Sequence, residues 1–578
     1  MSKISVDQSP IGELFSNKKS DFLIPDYQRP YAWGIDECQT LWADIWEFAF
    51  PDNNKDKFKT DDEYYLGPID TFENDERKLE VIDGQQRLTT LMLLLRAFYD
   101  KFLYAQNPDT IKTRDKISTC IWKTDEYDNP DFDKLKINSE VATDDDKEAF
   151  LYILKNGKSP ENNHSNYAEN FDFFTKKIEE YAAKFDGYTS LLAQRIMNNC
   201  IVLPIEADNQ DTALRIFSTL NDRGLPLSDA DIFKAQFYKY YSDKGKKDDF
   251  IEVWKGLEEL SEKIFHPSNG TPMDELFTRY MYFERAKQGI KSSTTEALRK
   301  FYEKDKYALL KNDATLDNLV SLAQFWNAVD KQDTEKFSPE VLRKLFVLNY
   351  APNGMWTAFV SVYYMQNRDN KGKLEDKAFY AFLEKLIAFV WAYAFTNPGV
   401  NALRTPLYAE MINIVNDRPV DFSDYKINEE QLTAILSQFE FINQRPITKS
   451  MLTWWAFENP KQDIVELDTK FEIEHIFAKN RQENDVVLNN PKNIECLGNK
   501  SLLEKRINIR ASDFRFKDKY KYYNGFTTAS GKEKEKTAIV DLINLSNTQT
   551  EFTESDIVNR NKKILDAFVA YVKANKLM

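Results

Sequence analysis

The stretch Val81-Ile82-Asp83-Gly84-Gln85-Gln86-Arg87 constrains this chain most. An apolar run ends in an acid, a glycine, two amides and an arginine. A helical pattern then begins, with apolar residues at Leu88, Leu91, Met92, Leu93 and Leu95. The order reads as strand, turn and helix. Glycine lets the backbone come close to a ligand, helix-start N–H groups point outward, and Arg87 offers a planar fork of donors. Such a corner suits an anion, and Asp83 could hold a metal or a ribose hydroxyl. The plainer reading is a corner in which Arg87 pairs with Asp83.

At 578 residues the chain is long, with room for about three to four domains of ~150 residues. It can bury large cores without staples. The net charge of −15 excludes an all-over basic coat for nucleic acid, though not a local basic patch. Cys38, Cys120, Cys200 and Cys496 lie far apart with no CxxC pair. That argues against a cysteine zinc site and fits a reducing, cytoplasmic setting. The start, Met1 to Asp7, has no apolar signal region. Phe379 to Phe395 is apolar but broken by Glu384 and Lys385, so it reads as a buried helix and no membrane is expected.

Before the opening motif, Phe22 to Trp33 contains Pro25 and Pro30, which disfavour a helix. Gln28 and Arg29 therefore sit in a stiff loop that suits a ligand contact. The alternative is a packed corner with Tyr31 and Trp33 in the core. A helix is expected from about Asp36 to Phe48. Tyr64–Phe72 and Leu79–Ile82 read as strands joined by the charged turn Glu73 to Lys78. Pro108 to Lys147 reads as mixed and partly irregular, Phe171 to Met197 as helical, and Cys200 to Ile205 as a buried strand. A helix then ends near Asn221, Gly224 and Pro226 make a turn, and Ser228 caps a new helix with Asp231 in the capping-box position. That turn exposes Asn221 and Arg223 as donors.

Three motifs occur in order: Ile24-Pro25-x-Tyr27-Gln28-Arg29-x-Tyr31-x-Trp33, Asp83-Gly84-Gln85-Gln86-Arg87-Leu88-Thr89-Thr90-Leu91, and Leu220-Asn221-x-Arg223-Gly224-x-x-Leu227-x-x-x-Asp231. Together they resemble the N-terminal domain of GmrSD-type, modification-dependent (type IV) restriction enzymes, a domain related to the ParB and sulfiredoxin nucleotide-binding fold. The resemblance covers about residues 5 to 240. It implies binding and hydrolysis of an NTP, with ATP, GTP, CTP and UTP all open. Asp83, Gly84, Gln85, Gln86 and Arg87 match the family's phosphate and metal motif. Gln28, Arg29, Asn221 and Arg223 fall in the other two motifs.

From Tyr238 to Phe441 the pattern is almost all helical, and His164 and His266 read as solvated or turn residues. The second constellation starts with Phe471-Glu472-Ile473-Glu474-His475, which alternates like a strand. It continues with Leu497-Gly498-Asn499-Lys500-Ser501-Leu502-Leu503 and Asn508. Hydrolysis of a phosphodiester needs a base for water near neutral pH, a role suited to His475. It also needs a divalent ion on hard oxygen ligands, for which Glu474 and Asn508 are the candidates. Asn499 could hold the His475 loop by hydrogen bonding. The plain alternative is a surface strand with a paired histidine.

This set resembles the His-Me finger (HNH, ββα-metal) nucleases, and in particular the nuclease domain that follows the N-terminal domain above. Ala478 stands where a proline often follows the histidine, and Lys500 where an apolar residue is common. Between Lys492 and Lys521 nine basic residues face four acids, with Phe514, Phe516, Tyr520, Tyr522 and Tyr523 interleaved. Lys500, Lys505, Arg506, Arg510 and Lys517 are the candidates for DNA contacts.

The expected fold is α+β and predominantly helical. A ParB-like α/β domain would span residues 1–240, a helical spacer 241–450, and an HNH nuclease domain 451–578. The expected activity is an NTP-regulated, metal-dependent DNA endonuclease or nickase of anti-phage defence, acting on phage or modified DNA with Mg²⁺ or Mn²⁺. One HNH site cuts one strand, so a double-strand break calls for a homodimer, a higher oligomer or two events. Other defence-system proteins are further candidate partners. The alternative is a nucleotide-sensing regulatory protein whose HNH domain is not the effector, and an RNA substrate is a third reading.

Overall fold

The computed structural model describes residues 5–6, 8–58, 61–141, 144–185, 187–209, 212–213, 228–399, 401–484 and 487–578. The protein is mixed α+β and predominantly helical, and it forms two compact units, Met1–Gly256 and Leu257–Met578.

The first unit holds β1 (Ser5–Val6), β2 (Ser9–Pro10), β3 (Phe22–Ile24), β4 (Tyr64–Glu73), β5 (Leu79–Asp83), β6 (Trp122–Thr124), β7 (Pro130–Leu135), β8 (Ile137–Ser139) and β9 (Cys200–Ala207). Seven of these make one mixed sheet, ordered β1-β9-β4-β5-β3-β8 with β2 also on β9. β6 and β7 pair with each other. β4 runs antiparallel to β5 and parallel to β9. The β4–β5 turn is closed by Asn74, whose side-chain oxygen accepts from the Glu76 and Lys78 amides. β2 pairs with β9 at Ile201 and Val202, and β1 pairs at Ile205 and Glu206. Pro204, which has no N–H to give, lies between these two pairings.

The expected first helix is α1 (Ile35–Ala49). α2 (Gln85–Lys101) follows directly from β5 and is apolar on nearly every side; Leu88, Leu91, Met92, Leu93, Leu94, Leu95 and Phe98 are fully buried. A helix so covered runs through a core rather than over it. α3 (Asn166–Lys184) packs against it. Two segments differ from the sequence reading. Pro108–Ile121 is a regular helix, capped by the Asn107 side chain with Pro108 in its first turn. Its solvent face is polar, which hid its period. The span Phe171–Met197 divides into α3 and a second helix, Thr189–Asn199. α4 (Asp229–Asp243) starts at Ser228 with the expected Ser228–Asp231 capping box.

The second unit is a helical assembly with a small hairpin. α5 (Asp376–Thr396) is long and apolar enough to cross a membrane by length and composition. Within this unit Leu383, Leu386, Ile387, Phe389, Val390 and Trp391 on it are fully buried, each burial stabilising by roughly 1.5–3 kcal/mol. Glu384 and Lys385, which interrupt the run, bond to Tyr380 and to the Val420 carbonyl. β10 (Phe471–His475) and β11 (Lys500–Glu504) pair antiparallel, with His475 opposite Lys500. α6 (Lys505–Ala511) leaves β11 directly and packs on both strands. α7 (Phe516–Asn524) and α8 (Glu554–Ala574) follow.

α8 locks the hairpin. Arg560 donates to the carbonyls of Leu497, Gly498 and Lys500 at 3.0, 2.9 and 2.8 Å and pairs with Asp541 at 2.5 Å. At Gly498 a Cβ would collide with the Ile557 carbonyl and would stand 2.6 Å from the Asn561 nitrogen, both backbone atoms. Gly498→Ala is therefore expected to destabilise the second unit by about 3 kcal/mol or more, since backbone cannot yield cheaply. Denaturant unfolding measures this, and an unchanged midpoint would contradict the packing.

Candidate functional site

The first candidate site is the corner between β5 and α2. Gly84 caps α2 with φ +88°, a left-handed conformation that an L side chain adopts at a cost. A Cβ there would also sit 3.1 Å from Ile69 and 3.2 Å from the Pro68 carbonyl. Arg87, in the first turn, donates to the Pro68 carbonyl at 2.6 Å. Asp70 on β4 is the cross-strand partner of Asp83 on β5. Asp83 accepts from the Gly84 amide and faces both Arg87 and Arg29. Burial raises its pKa, and these contacts offset part of that rise.

The amides of this motif serve the loop. Gln28 is buried and donates to the Val81 and Ile82 carbonyls at 3.2 and 3.0 Å. Gln85 donates to the Arg29 carbonyl at 3.1 Å. Gln86 accepts from the Ala32 and Trp33 amides at 2.7 and 3.2 Å and donates to the Pro30 carbonyl at 3.1 Å. The expectation that Gln28 and Gln86 meet a nucleotide is thus corrected. Their amides stitch the Pro25–Trp33 loop to the strand–helix corner, because a buried irregular backbone must find partners. Tyr31 takes the packed alternative: it is buried, stacks on Tyr167 at 4.7 Å and bonds to Thr90. Arg29, Asp83 and Arg87 remain as the charged groups of the corner. Asn221 and Arg223 lie outside the described residues.

Asp70 was not singled out by sequence reasoning. It is buried, and its Oδ1 has no hydrogen-bond partner among the described residues. An acid directly after Ile69, at a position that faces inward on β4, was the available signal. Burial first, then the neighbouring Asp83, push Asp70 up to about 7, with Arg87 pulling the other way.

The second candidate site is the end of β10. Asn499 immediately precedes β11. It is fully buried; its oxygen accepts from the Phe477 amide at 2.7 Å, and its nitrogen donates to the Phe477 and Ile494 carbonyls at 3.0 and 3.1 Å. The Asn499 carbonyl also accepts from the Ile476 amide at 2.9 Å. The chain leaving His475 is thereby fixed through both the N–H and the C=O of Phe477.

Glu474 and His475 do not converge. Neighbours on a strand point to opposite faces. Glu474 is buried, and its Oε1 accepts from Lys519 at 2.7 Å and Tyr523 at 2.6 Å. Lys519, also buried, donates in addition to the His475 carbonyl at 2.7 Å. Burial, then the Glu474 charge, hold the Tyr523 hydroxyl well above its usual pKa. The Asn508 amide donates to Glu472 at 2.9 Å. The imidazole of His475 instead meets Glu495, with Nε2 3.7 Å from Oε2. Glu474 and Asn508 as placed do not fit a divalent ion, because an internal ammonium already neutralises the acid and the amide turns to another residue. Among the described residues no group of three or more His, Cys, Asp or Glu side chains could hold a metal.

Lys500 is likewise corrected as a DNA contact. It is fully buried and held by Glu495 and Asn443 at 2.5 and 2.6 Å. Lys505, Arg506 and Lys517 are exposed and Arg510 is half-buried. A cavity of about 370 Å³ opens beside the His475 loop. Phe477, Phe514, Phe516 and Phe552 line it together with Arg481, Arg515 and Lys517. Glu551 and Glu554 line it as well, so its wall carries both signs of charge.

The family model described as GmrSD restriction endonuclease, N-terminal domain, matches residues 11–238. No curated protein matches the chain.

The raised Asp70 pKa gives a pH test. Between its ordinary 3.8 and about 7 the folded chain holds a proton that the unfolded chain releases, so stability falls as pH rises through that window. Asp70→Asn removes this loss. Its unfolding free energy relative to that of wild type, from denaturant titrations, should climb from pH 4 to pH 7 and then level off, by an amount on the order of a few kcal/mol. A difference that does not vary with pH would contradict the buried carboxyl.

Proposed function

We propose, from the match of residues 11–238 to the N-terminal domain of the GmrSD restriction endonucleases, that the chain is an NTP-regulated DNA endonuclease of anti-phage defence. The proposal gives the first unit a ParB/sulfiredoxin-like nucleotide site. Phosphate would lie at the N-terminus of α2, where outward N–H groups and Arg87 favour an anion. Asp83, Gln85 and Arg29 border that corner. Asp70, opposite Asp83, belongs to the same cluster.

The second unit would cut, through an HNH (ββα-metal) arrangement at residues 451–578. The observation that carries this is the Asn499 clamp, which fixes the backbone just after His475. The order of hairpin, clamp and following helix supports it too. In the proposed reaction His475 takes a proton from water as the water oxygen bonds to phosphorus. The bond from phosphorus to the leaving oxygen breaks, and that oxygen takes a proton from solvent. Lys505, Arg506, Arg510 and Lys517 would hold the backbone phosphates. Dependence on Mg²⁺ or Mn²⁺ rests on the family resemblance alone, since Glu474 and Asn508 as placed form no ion site. Modified or phage DNA as substrate, a cytoplasmic location and cutting by two protomers belong to the same proposal.

One observation favours a second reading. The buried Glu474–Lys519–Tyr523 network occupies the acid that a metal would need. A nucleotide-sensing regulatory protein with no cutting of its own is consistent with that lock.

A cleavage panel separates the two. Purified full-length chain is incubated with modified and unmodified phage DNA, with each NTP in turn and with Mg²⁺, Mn²⁺ or EDTA. The nuclease reading expects wild type to cut at least one DNA and His475→Ala to lose at least about 100-fold in rate. Equal cutting by that variant would sink it. The regulatory reading expects NTP turnover that Arg87→Ala abolishes, with no cutting in any arm.

A further inference from the structure

Lys500 stands where the HNH resemblance expects an apolar residue, and the structure buries it completely. A buried lysine is costly unless paired. Its ammonium has two partners, Asn443 Oδ1 at 2.6 Å and Glu495 Oε2 at 2.5 Å. Lys500 is also the cross-strand partner of His475. The same Glu495 oxygen lies 3.7 Å from His475 Nε2. That nitrogen is buried and has no hydrogen-bond partner among the described residues. Glu495 is anchored from behind, since its carbonyl accepts from the Phe441 amide at 2.9 Å. Lys479 Nζ stands 3.6 Å from its other oxygen.

We propose that Glu495 is the positioning residue for His475: it fixes the ring with Nε2 protonated and leaves Nδ1 to accept the proton from water. This rests on the nuclease reading for its catalytic meaning, but not for its geometry. A buried imidazole nitrogen facing a carboxylate is best satisfied as N–H, and the neutral ring carries one N–H. Nδ1 is not among the buried unpartnered atoms. When Nδ1 takes a proton, the Glu495 charge stabilises the imidazolium that forms, as an orienting carboxylate does for other histidine bases. Lys500 keeps Glu495 ionised and aimed. His475, then Lys500, hold the Glu495 carboxyl down to about 2. The departure at Lys500 thereby has a role: it anchors the acid that anchors the base.

The test reads the ring directly. The chain has three histidines, so full-length protein labelled at histidine gives few ring signals, and the one lost in His475→Gln is His475. Its ¹⁵N shifts report which nitrogen is protonated. Wild type should show Nε2–H. Glu495→Ala should show mixed tautomers, with kcat for DNA cleavage down at least about 10-fold and KM within about twofold. Glu495→Gln, whose amide oxygen still accepts from Nε2–H, should restore the tautomer and part of kcat. An unchanged His475 tautomer in both variants would overturn the proposal, whether or not DNA is cut. A tautomer shift in a protein that cuts no DNA would uphold the positioning and defeat the nuclease reading.

Discussion

Asn499 is fully buried and its side chain satisfies three backbone groups around Phe477 and Ile494. Irregular backbone inside a protein needs such partners, because an unpaired amide or carbonyl there costs as much as a lost hydrogen bond or more. The His475 loop can leave β10 and remain ordered only because that requirement is met. Arg560 extends the same lock to the carbonyls of Leu497, Gly498 and Lys500. The first unit solves the same problem with Gln28, Gln85 and Gln86, which bind the proline-rich loop to the end of β5. In both places a side-chain amide fixes a loop, and charged groups are left at the corner it frames.

Much of this was legible in the sequence, for local reasons. The β4–β5 hairpin, the α2 start at Gly84, the Ser228–Asp231 cap and the β10 strand all follow from short-range patterns. Side-chain destinations were less legible, because they depend on residues far away in the chain. Gln28 and Gln86 read as ligand contacts, and nothing nearby shows that their partners lie more than fifty residues away. Lys500 read as part of a basic patch, though strand register turns it inward to Glu495 and Asn443. The helix Pro108–Ile121 was hidden by its polar solvent face.

Charge placement is what separates the two units chemically. In the first, Asp70 and Asp83 stand on adjacent strands with Arg87 at the start of α2, a cluster in which burial raises both acids. In the second, three acids on or beside the hairpin each face a lysine: Glu474 faces Lys519, Glu495 faces Lys500 and Glu472 approaches Lys505. The overall acidity of the chain says little about either. Lys505 and Arg506 are exposed at the Phe471 end of the hairpin, and Lys517 lines the cavity beside Phe477.

The central claim is that Asn499 holds His475 in place to hydrolyse a phosphodiester. Single-turnover cleavage of a susceptible phage DNA by Asn499→Ala, with DNA affinity measured alongside, tests it most directly. The account predicts a loss of at least about 100-fold in the cutting rate with affinity changed by no more than a few-fold. Cutting at the wild-type rate would contradict it.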